Sequence, residues 1–207
     1  MATQKLATEI RREQIVLAAL RQVAKHGLRK MSIAGVARQV GLVPSALYRH
    51  FKSKDEIIDA LLDLLRSKMM GNIEIVKAET EDPEAQLHRL LELHAGLIRD
   101  NQAIPRILFS DEVYSGSSKR KGQMHGVLKG YLEAVAGIIR EGQYSGRFRK
   151  DADPETLALM LVGIVVPGAI LWHASGETFD ITAHVEKGWR NFRYMIVREI
   201  TLLLDED

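Results

Sequence analysis

The sequence predicts an all-α protein of about nine helices, with an N-terminal three-helix head (residues 1–54) and a larger helical domain (residues 55–207). Apolar residues recur at helical spacing along almost the whole chain. Residues that start or end helices separate these segments. No segment alternates convincingly between apolar and polar residues, as a half-buried strand would. The chain is also long enough for a sizeable core.

The predicted head contains a helix-turn-helix. Its first helix covers residues 10–26. The second helix is predicted to begin after Ser32, whose hydroxyl can accept a hydrogen bond from a first-turn N–H, and to end before Gly41. Glycine suits the left-handed backbone that often follows a helix. A third helix is predicted from Pro44 to about Phe51.

The spacing within this third helix predicts which side chains are buried. Leu47 and Phe51 lie four residues apart and are expected to face inward. Ser45, Ala46, Tyr48 and Arg49 are expected to face outward, as DNA-reading residues do in a major groove that admits one helix. A helical hairpin inside an ordinary all-α core shares most of this pattern, so DNA binding and a purely structural role both stay open on the pattern alone.

Charge favours the DNA-binding interpretation. Residues 1–55 contain eleven Lys and Arg against three acidic residues, a net charge of +8. The whole chain carries only +2, so the remaining residues carry −6. A basic head on an acidic body is suited to phosphate neutralisation.

The predicted second domain consists of six further helices. A long fourth helix is capped by Ser53, and the fifth and eighth begin at the Asp-Pro pairs 82–83 and 153–154. Residues 115–122 are predicted to form an exposed loop. The remaining helices are predicted near residues 105–114, 127–143 and 182–204.

Several classes of protein are disfavoured. The chain has no cysteine, which excludes disulfides and thiolate chemistry. Its longest apolar run, residues 157–172, is shorter than the roughly 20 residues of a spanning helix and contains Pro167, so a buried helix is expected. The polar N-terminus has no signal-peptide core. We therefore expect a cytoplasmic protein without a membrane segment. We also expect no cofactor, metal site or enzymatic activity, since no catalytic or metal-binding motif is present.

The run GLVPSALYRHFKSKDEII carries a family resemblance. The run resembles the signature of the TetR family of bacterial transcriptional regulators, in which a glycine-hydrophobe turn leads to a recognition helix that ends in Leu-Tyr-x-His-Phe, followed by x-Ser/Asn-Lys at the start of the fourth helix. The pairs Leu47-Tyr48, His50-Phe51 and Ser53-Lys54 match in order and spacing. Residues 43–46 depart from the Ser-Lys-Gly-Thr that the family often has there, so the operator sequence cannot be carried over.

This resemblance implies a transcriptional regulator, expected to be a repressor that binds a palindromic DNA operator as a homodimer and is released by an unidentified small-molecule effector. The candidate DNA contacts are Ser32, Pro44, Ser45, Ala46, Tyr48, Arg49, His50 and Lys54. The alternative is an architectural or division-control DNA-binding protein of the same fold without an effector.

The resemblance also implies a pocket beside the fourth helix and a four-helix dimer interface. The candidate pocket residues are Met69, Met70, Leu93, Leu97, Leu108, Phe109, Tyr131 and Trp172. The candidate interface residues are Leu161, Val165, Gly168, Val185, Trp189, Phe192 and Ile196. Both sets also fit a plain hydrophobic core. His94 and His173 are expected to be satisfied core residues or surface residues.

Overall fold

The computed structural model describes residues 2–115 and 117–197, in which ten helices follow one another. The helices are α1 (Ala2–His26), α2 (Ile33–Gln39), α3 (Pro44–Leu47), α4 (Lys54–Glu79), α5 (Pro83–Asp100), α6 (Ala103–Leu108), α7 (Asp111–Tyr114), α8 (Ser118–Tyr144), α9 (Pro154–Ala174) and α10 (Ile181–Ile196). The only β-pairing within the described ranges is an isolated bridge between Phe148 and Val197. The predicted all-α class is confirmed.

The middle of the chain differs from the prediction in two places. The single helix expected near residues 105–114 is two short helices, α6 and α7, which raises the count from nine to ten. The loop expected at 115–122 is wrong from residue 118 onward, because α8 begins at Ser118. Ser117 Oγ accepts a hydrogen bond from the Arg120 N–H, and the Arg120 side chain is buried in ion pairs. Tertiary contacts therefore order a stretch whose composition is typical of a loop.

Two helix ends are also earlier than predicted. Regular helix in α3 stops at Leu47, and a turn covers residues 48–50. The last helix, expected to continue to residue 204, ends at Ile196, where Val197 is extended and the Arg149 N–H donates to the Ile196 carbonyl at 2.9 Å. The apolar positions Ile200 and Leu203 of that expected helix lie outside the described residues.

The predicted caps are confirmed. Ser32 Oγ accepts from the Gly35 N–H at 3.1 Å, and Ser53 Oγ accepts from the Glu56 N–H at 3.2 Å. Asp82 and Asp153 cap the starts of α5 and α9 in the same way. Gly27 and Gly41, which follow α1 and α2, have φ of 78° and 68°, in the left-handed region that favours glycine.

The chain divides into two compact units. The first unit comprises Met1–Met70 and Leu97–Lys129, and the second comprises Gly71–Gly96 and Gly130–Asp207. Three helices, α4, α5 and α8, contribute residues to both. In the first unit, α2 crosses α1 closely at Gly35, where an added Cβ would lie 2.2 Å from the Gln22 side chain.

The core of the second unit is built around α9 and α10. Seven residues of α9 are buried: Leu157, Ala158, Leu161, Val165, Gly168, Ala169 and Trp172. The opposite face of α9 is exposed although it is apolar, with Leu159 60 % and Leu171 50 % exposed. By length and composition alone α9 could cross a membrane. Its inward face is instead packed against the rest of its unit, as expected for a core helix.

Candidate nucleic-acid interface

The recognition segment (residues 44–51) lies on a buried base. Leu47 and Phe51 are fully buried, which confirms their predicted inward orientation. On the outer side Ser45 and Arg49 are exposed and Tyr48 is 49 % exposed, whereas Ala46 is half-buried. Because the two anchoring side chains are inaccessible, the outer residues are displayed on a support that cannot rotate freely.

Arg12 of α1 fixes the end of this segment. Its guanidinium lies over the Phe51 ring at 4.0 Å from the centroid, a cation–π contact. The same guanidinium donates a hydrogen bond to the His50 carbonyl. The sequence gives no specific sign of this role, because Arg12 is one of several basic residues on the first helix.

His50 is less available to DNA than the sequence suggested. The residue is half-buried, and its Nδ1 is enclosed without a hydrogen-bond partner among the described residues. Only the part of the imidazole away from Nδ1 is left to face outward. The prediction that His50 contacts DNA therefore rests on one edge of the imidazole.

The other candidate contacts have structural partners of their own. Lys54 Nζ donates to the Arg29 carbonyl at 2.9 Å, which ties the start of α4 to the loop after α1. A lysine ammonium has three donors, so two remain for a phosphate. Pro44 lies at the exposed start of α3. Ser32 is exposed, and its hydroxyl keeps a proton to donate while its oxygen caps α2.

A reciprocal pair of caps defines where α4 begins. While Ser53 Oγ accepts from the Glu56 N–H, the Glu56 carboxylate accepts from the Lys52 N–H at 2.8 Å. Such side-chain caps satisfy backbone donors that the helix itself leaves unpaired. These two hydrogen bonds therefore fix the backbone between the recognition segment and α4.

The helix-turn-helix and the elements next to it in sequence carry many exposed basic side chains. They come from α1, from the loop that follows it, from α2, from the recognition segment and from the turn before α4. The exposed members are Arg12, Arg21, Lys25, Arg29, Lys30, Arg38, Arg49 and Lys52. Between residues 14 and 54 the sequence contains no acidic residue. The resulting positive field is suited to a polyanion.

The start of α4 is also held by a buried arginine. Arg120 of α8 has a side chain only 7 % exposed, and its guanidinium contacts Asp55 at 2.8 Å and Asp59 at 3.3 Å. It also donates to the Glu112 carbonyl of α7 at 3.0 Å. Gln123 Nε2 adds bonds to the Asp59 carbonyl and the Asp63 carboxylate. One guanidinium thus joins α4, α7 and α8 within the first unit.

This arginine site had a detectable signal in the sequence. Asp55, Asp59 and Asp63 recur every four residues, which places three carboxylates on one face of a helix. A basic partner for that face was to be expected. The basic residues at 119–121 lie some 60 positions further along the chain. The composition around them predicts an exposed loop, so they do not stand out as partners of that face.

The candidate pocket residues are distributed over both units. In the first, Met69 is buried, Met70, Leu97 and Leu108 are half-buried, and Phe109 is 59 % exposed. In the second, Tyr131 and Trp172 are buried and Leu93 is half-buried. The three surface cavities described for this structure are lined by other residues, around Phe148, Val40 and Pro83 respectively. These pocket assignments stay predictions.

A buried polar pair lies in the second unit beside these candidates. His94 Nδ1 is 3.1 Å from the Tyr131 hydroxyl. Burial lowers the pKa of His94 to about 4 and raises the pKa of the Tyr131 phenol, so both are neutral at pH 7. His94 is thus a satisfied core histidine and His173 is exposed, which are the two environments that the sequence left open for each of them.

The predicted dimer residues face the inside of their own chain. Leu161, Val165, Gly168, Val185, Trp189, Phe192 and Ile196 are all buried. An added Cβ at Gly168 would lie 2.8 Å from the His184 ring of α10. Gly168 lies where α9 meets α10, whereas Trp189 stacks on the His88 ring of α5. The exposed apolar side chains of α9 are other residues of the same helix. Periodicity identified the apolar positions without distinguishing one apolar face from the other.

Two family profiles match the chain. One, described as bacterial regulatory proteins of the tetR family, matches residues 15–61. The other, described as the C-terminal region of YsiA-like protein, matches residues 65–193. The chain belongs to the TetR family of bacterial regulatory proteins. The protein is therefore a DNA-binding transcriptional regulator.

Two curated relatives and one solved structure illustrate what the chain is similar to. The chain is 24 % identical over 173 residues to a fatty acid metabolism regulator protein of Bacillus subtilis, which covers 82 % of this chain and 87 % of that protein. It is 26 % identical over 142 residues to the nucleoid occlusion factor SlmA of Enterobacter sp., 68 % of this chain and 72 % of the relative. The structure of the regulator FadR from Bacillus subtilis in complex with stearoyl-CoA superposes with a TM-score of 0.74 at 21 % identity, covering 87 % of this chain and 96 % of FadR.

The arginine site predicts a difference between two neighbouring residues. Arg120→Ala should lower the free energy of unfolding by about 1–3 kcal/mol, because a buried guanidinium with several partners is lost. Lys119→Ala removes another cation that contacts Asp59, but the Lys119 side chain is 82 % exposed and its loss should cost less than about 0.5 kcal/mol. Urea unfolding followed by circular dichroism measures both. Equal effects of the two substitutions would contradict the assignment.

Proposed function

We propose that this TetR-family regulator is a repressor that binds a palindromic operator in the cytoplasm as a homodimer, and that a long-chain acyl-CoA thioester releases it. The observation that carries the DNA-binding part is the recognition segment. Its outer side chains, Ser45, Tyr48 and Arg49, are displayed on two fully buried anchors amid exposed basic residues.

The proposed roles follow from exposure and chemistry. Tyr48 and Ser45 offer hydroxyl groups for base edges or nearby phosphates, and Arg49 offers a guanidinium for either. Ser32 and Lys54 contribute donors to phosphates from the starts of α2 and α4. The proposed contacts are completed by Pro44 and Ala46, through shape and apolar contact. The outer edge of the His50 ring is the last of them.

A second copy of the chain is the proposed partner of α9. Its exposed face carries Leu159, Met160, Ile170 and Leu171, and Tyr194 of the neighbouring α10 is 77 % exposed. A contiguous exposed apolar face marks an interaction site. In a two-fold dimer of a helix-turn-helix protein, the two heads read half-sites about 34 Å apart, or a multiple of that distance. The seven buried residues predicted for the interface would lie directly behind this exposed face.

An acyl-CoA effector is supported by the relatives and by the second unit. One relative is a fatty acid metabolism regulator, and a structural neighbour is in complex with stearoyl-CoA. Leu93, Tyr131 and Trp172 are the proposed contacts of the acyl chain in that unit. The buried pair of His94 and Tyr131 is uncharged at pH 7, so an apolar chain could lie against it without desolvating a charge.

A second candidate function is DNA binding without a small effector. The likeness to the nucleoid occlusion factor SlmA favours it. The two candidates share the recognition segment and the dimer, and they differ in whether a ligand changes operator affinity.

The first test concerns DNA recognition. Operator fragments are selected from the source genome's DNA with the purified protein, and affinities are measured by gel shift. Tyr48→Ala should weaken operator binding by about 1–3 kcal/mol, roughly 5- to 150-fold, with the dimer intact. Tyr144→Ala is the matched control, because Tyr144 is 83 % exposed and lies in the second unit. Unchanged operator affinity in Tyr48→Ala would refute the role assigned to this side chain.

The second test concerns release. Stearoyl-CoA added to the operator complex should lower operator affinity about 5- to 150-fold, the usual range of allosteric coupling. Coenzyme A without an acyl chain should have no effect, because the proposed contacts are apolar. Operator affinity that is indifferent to acyl-CoA, in a protein that still binds its operator specifically, would reject the effector and favour the second candidate function.

A further inference from the structure

We propose that His88, Glu92 and Glu186 form a binding site for a divalent transition-metal ion of the zinc class. His88 and Glu92 lie four residues apart on α5, and Glu186 comes from α10 within the same unit. One ligand atom from each lies within 4.8 Å of the other two. His88 Nε2 and Glu186 Oε1 lie 3.0 Å apart.

The spacing of these atoms suits a small cation. Ligands about 2.0–2.1 Å from a tetrahedral zinc ion lie about 3.3 Å from one another. The separations of the three atoms are at most 4.8 Å, so none must change by more than about 1.5 Å to reach that value. One helix supplies ligands at i and i+4, which face the same side.

The donor set points to the class of metal. One imidazole nitrogen and two carboxylates suit Zn²⁺, Co²⁺ or Ni²⁺, whereas Mg²⁺ and Ca²⁺ favour sites made of oxygen alone. Three protein ligands leave at least one position for water. The His88 and Glu186 side chains are 35 % and 43 % exposed, so an ion can enter from solvent.

The imidazole is already held in place. The His88 ring stacks on Trp189 of α10, with centroids 5.1 Å apart and planes 11° from parallel. Trp189 is 5 % exposed and is fixed by the core of its unit. A ring oriented before binding loses less conformational freedom when a ligand is bound.

Arg89 is the group that competes for this site. Its guanidinium contacts Glu92 at 2.8 Å and Glu79 at 3.1 Å. All three side chains are between 40 % and 45 % exposed, and exposed pairs of this kind contribute about 0–1 kcal/mol. A metal ion can therefore displace Arg89 from Glu92, and Arg89 retains Glu79.

The sequence alone gives no sign of this site. The two histidines on α5, His88 and His94, are six residues apart and cannot bind one ion from the same helix face. The third ligand is 98 residues further along the chain from His88. Only the packing of α10 on α5 brings them together.

The experiment titrates Zn²⁺ alone into the tag-free full chain by isothermal calorimetry, with Tm measured in parallel. We expect one Zn²⁺ per chain and a Tm that rises with zinc concentration, because the ion binds the folded state. Glu186→Gln, Glu92→Gln and His88→Gln should each weaken binding at least about tenfold. His125→Gln is the control, because His125 is an exposed histidine of α8 outside the cluster.

Two further readouts keep the result decisive. Circular dichroism of each variant without zinc shows whether it is folded. Glu92 is exposed and lies outside the core, so Glu92→Gln should leave the fold intact. Co²⁺ substitution should give visible d–d absorption in the wild type that is lost in Glu186→Gln. Absence of zinc binding, or binding that the three ligand variants leave unchanged, would overturn the proposal. So would an equal loss in His125→Gln.

Discussion

The guanidinium of Arg120 ties the start of α4, the helix that follows the recognition segment, to α7 and α8. It is buried, and it bonds to two carboxylates of the first two turns of α4 and to a carbonyl of α7. A buried charge is tolerated only when it is paired and hydrogen-bonded, so this cluster has few alternative arrangements. Only residues 52 and 53 separate the recognition segment from the start of α4, so the contacts of Arg120 lie close in the chain to that segment.

Residues of α1 and of the loop that follows it also hold the recognition segment and the start of α4 in place. Arg12 holds the end of the recognition segment to α1 through Phe51 and the His50 carbonyl, and Lys54 ties the first residue of α4 to the Arg29 carbonyl. The reading surface is therefore fixed by polar contacts at its edges and apolar anchors beneath. Packed interfaces of this kind switch between discrete arrangements more readily than they deform continuously. The release from the operator that we propose requires such behaviour.

The sequence predicted what local rules determine. The caps at Ser32 and Ser53, the left-handed turn at Gly41 and the burial of Leu47 and Phe51 depend on residues within a few positions of one another. The start of α8 depends instead on Asp55 and Asp59, some 60 residues earlier, so its local composition was misleading. Similarly, helical periodicity marked α9 as apolar but could not tell its core-facing residues from those left exposed. The site at His88 required the packing of two distant helices.

Amide hydrogen exchange across α4, in the native chain and in Arg120→Met, measures directly whether the arginine holds this helix. The side-chain carboxylates of Asp55 and Asp59 lose their buried partner in the variant. The structure predicts that the amides of residues 58–62 exchange at least about tenfold faster, a local loss of about 1.4 kcal/mol, with protection of Val36 and Ala37 in α2 retained. Unchanged exchange in residues 58–62, or an equal acceleration in α2, would contradict a specific role for Arg120.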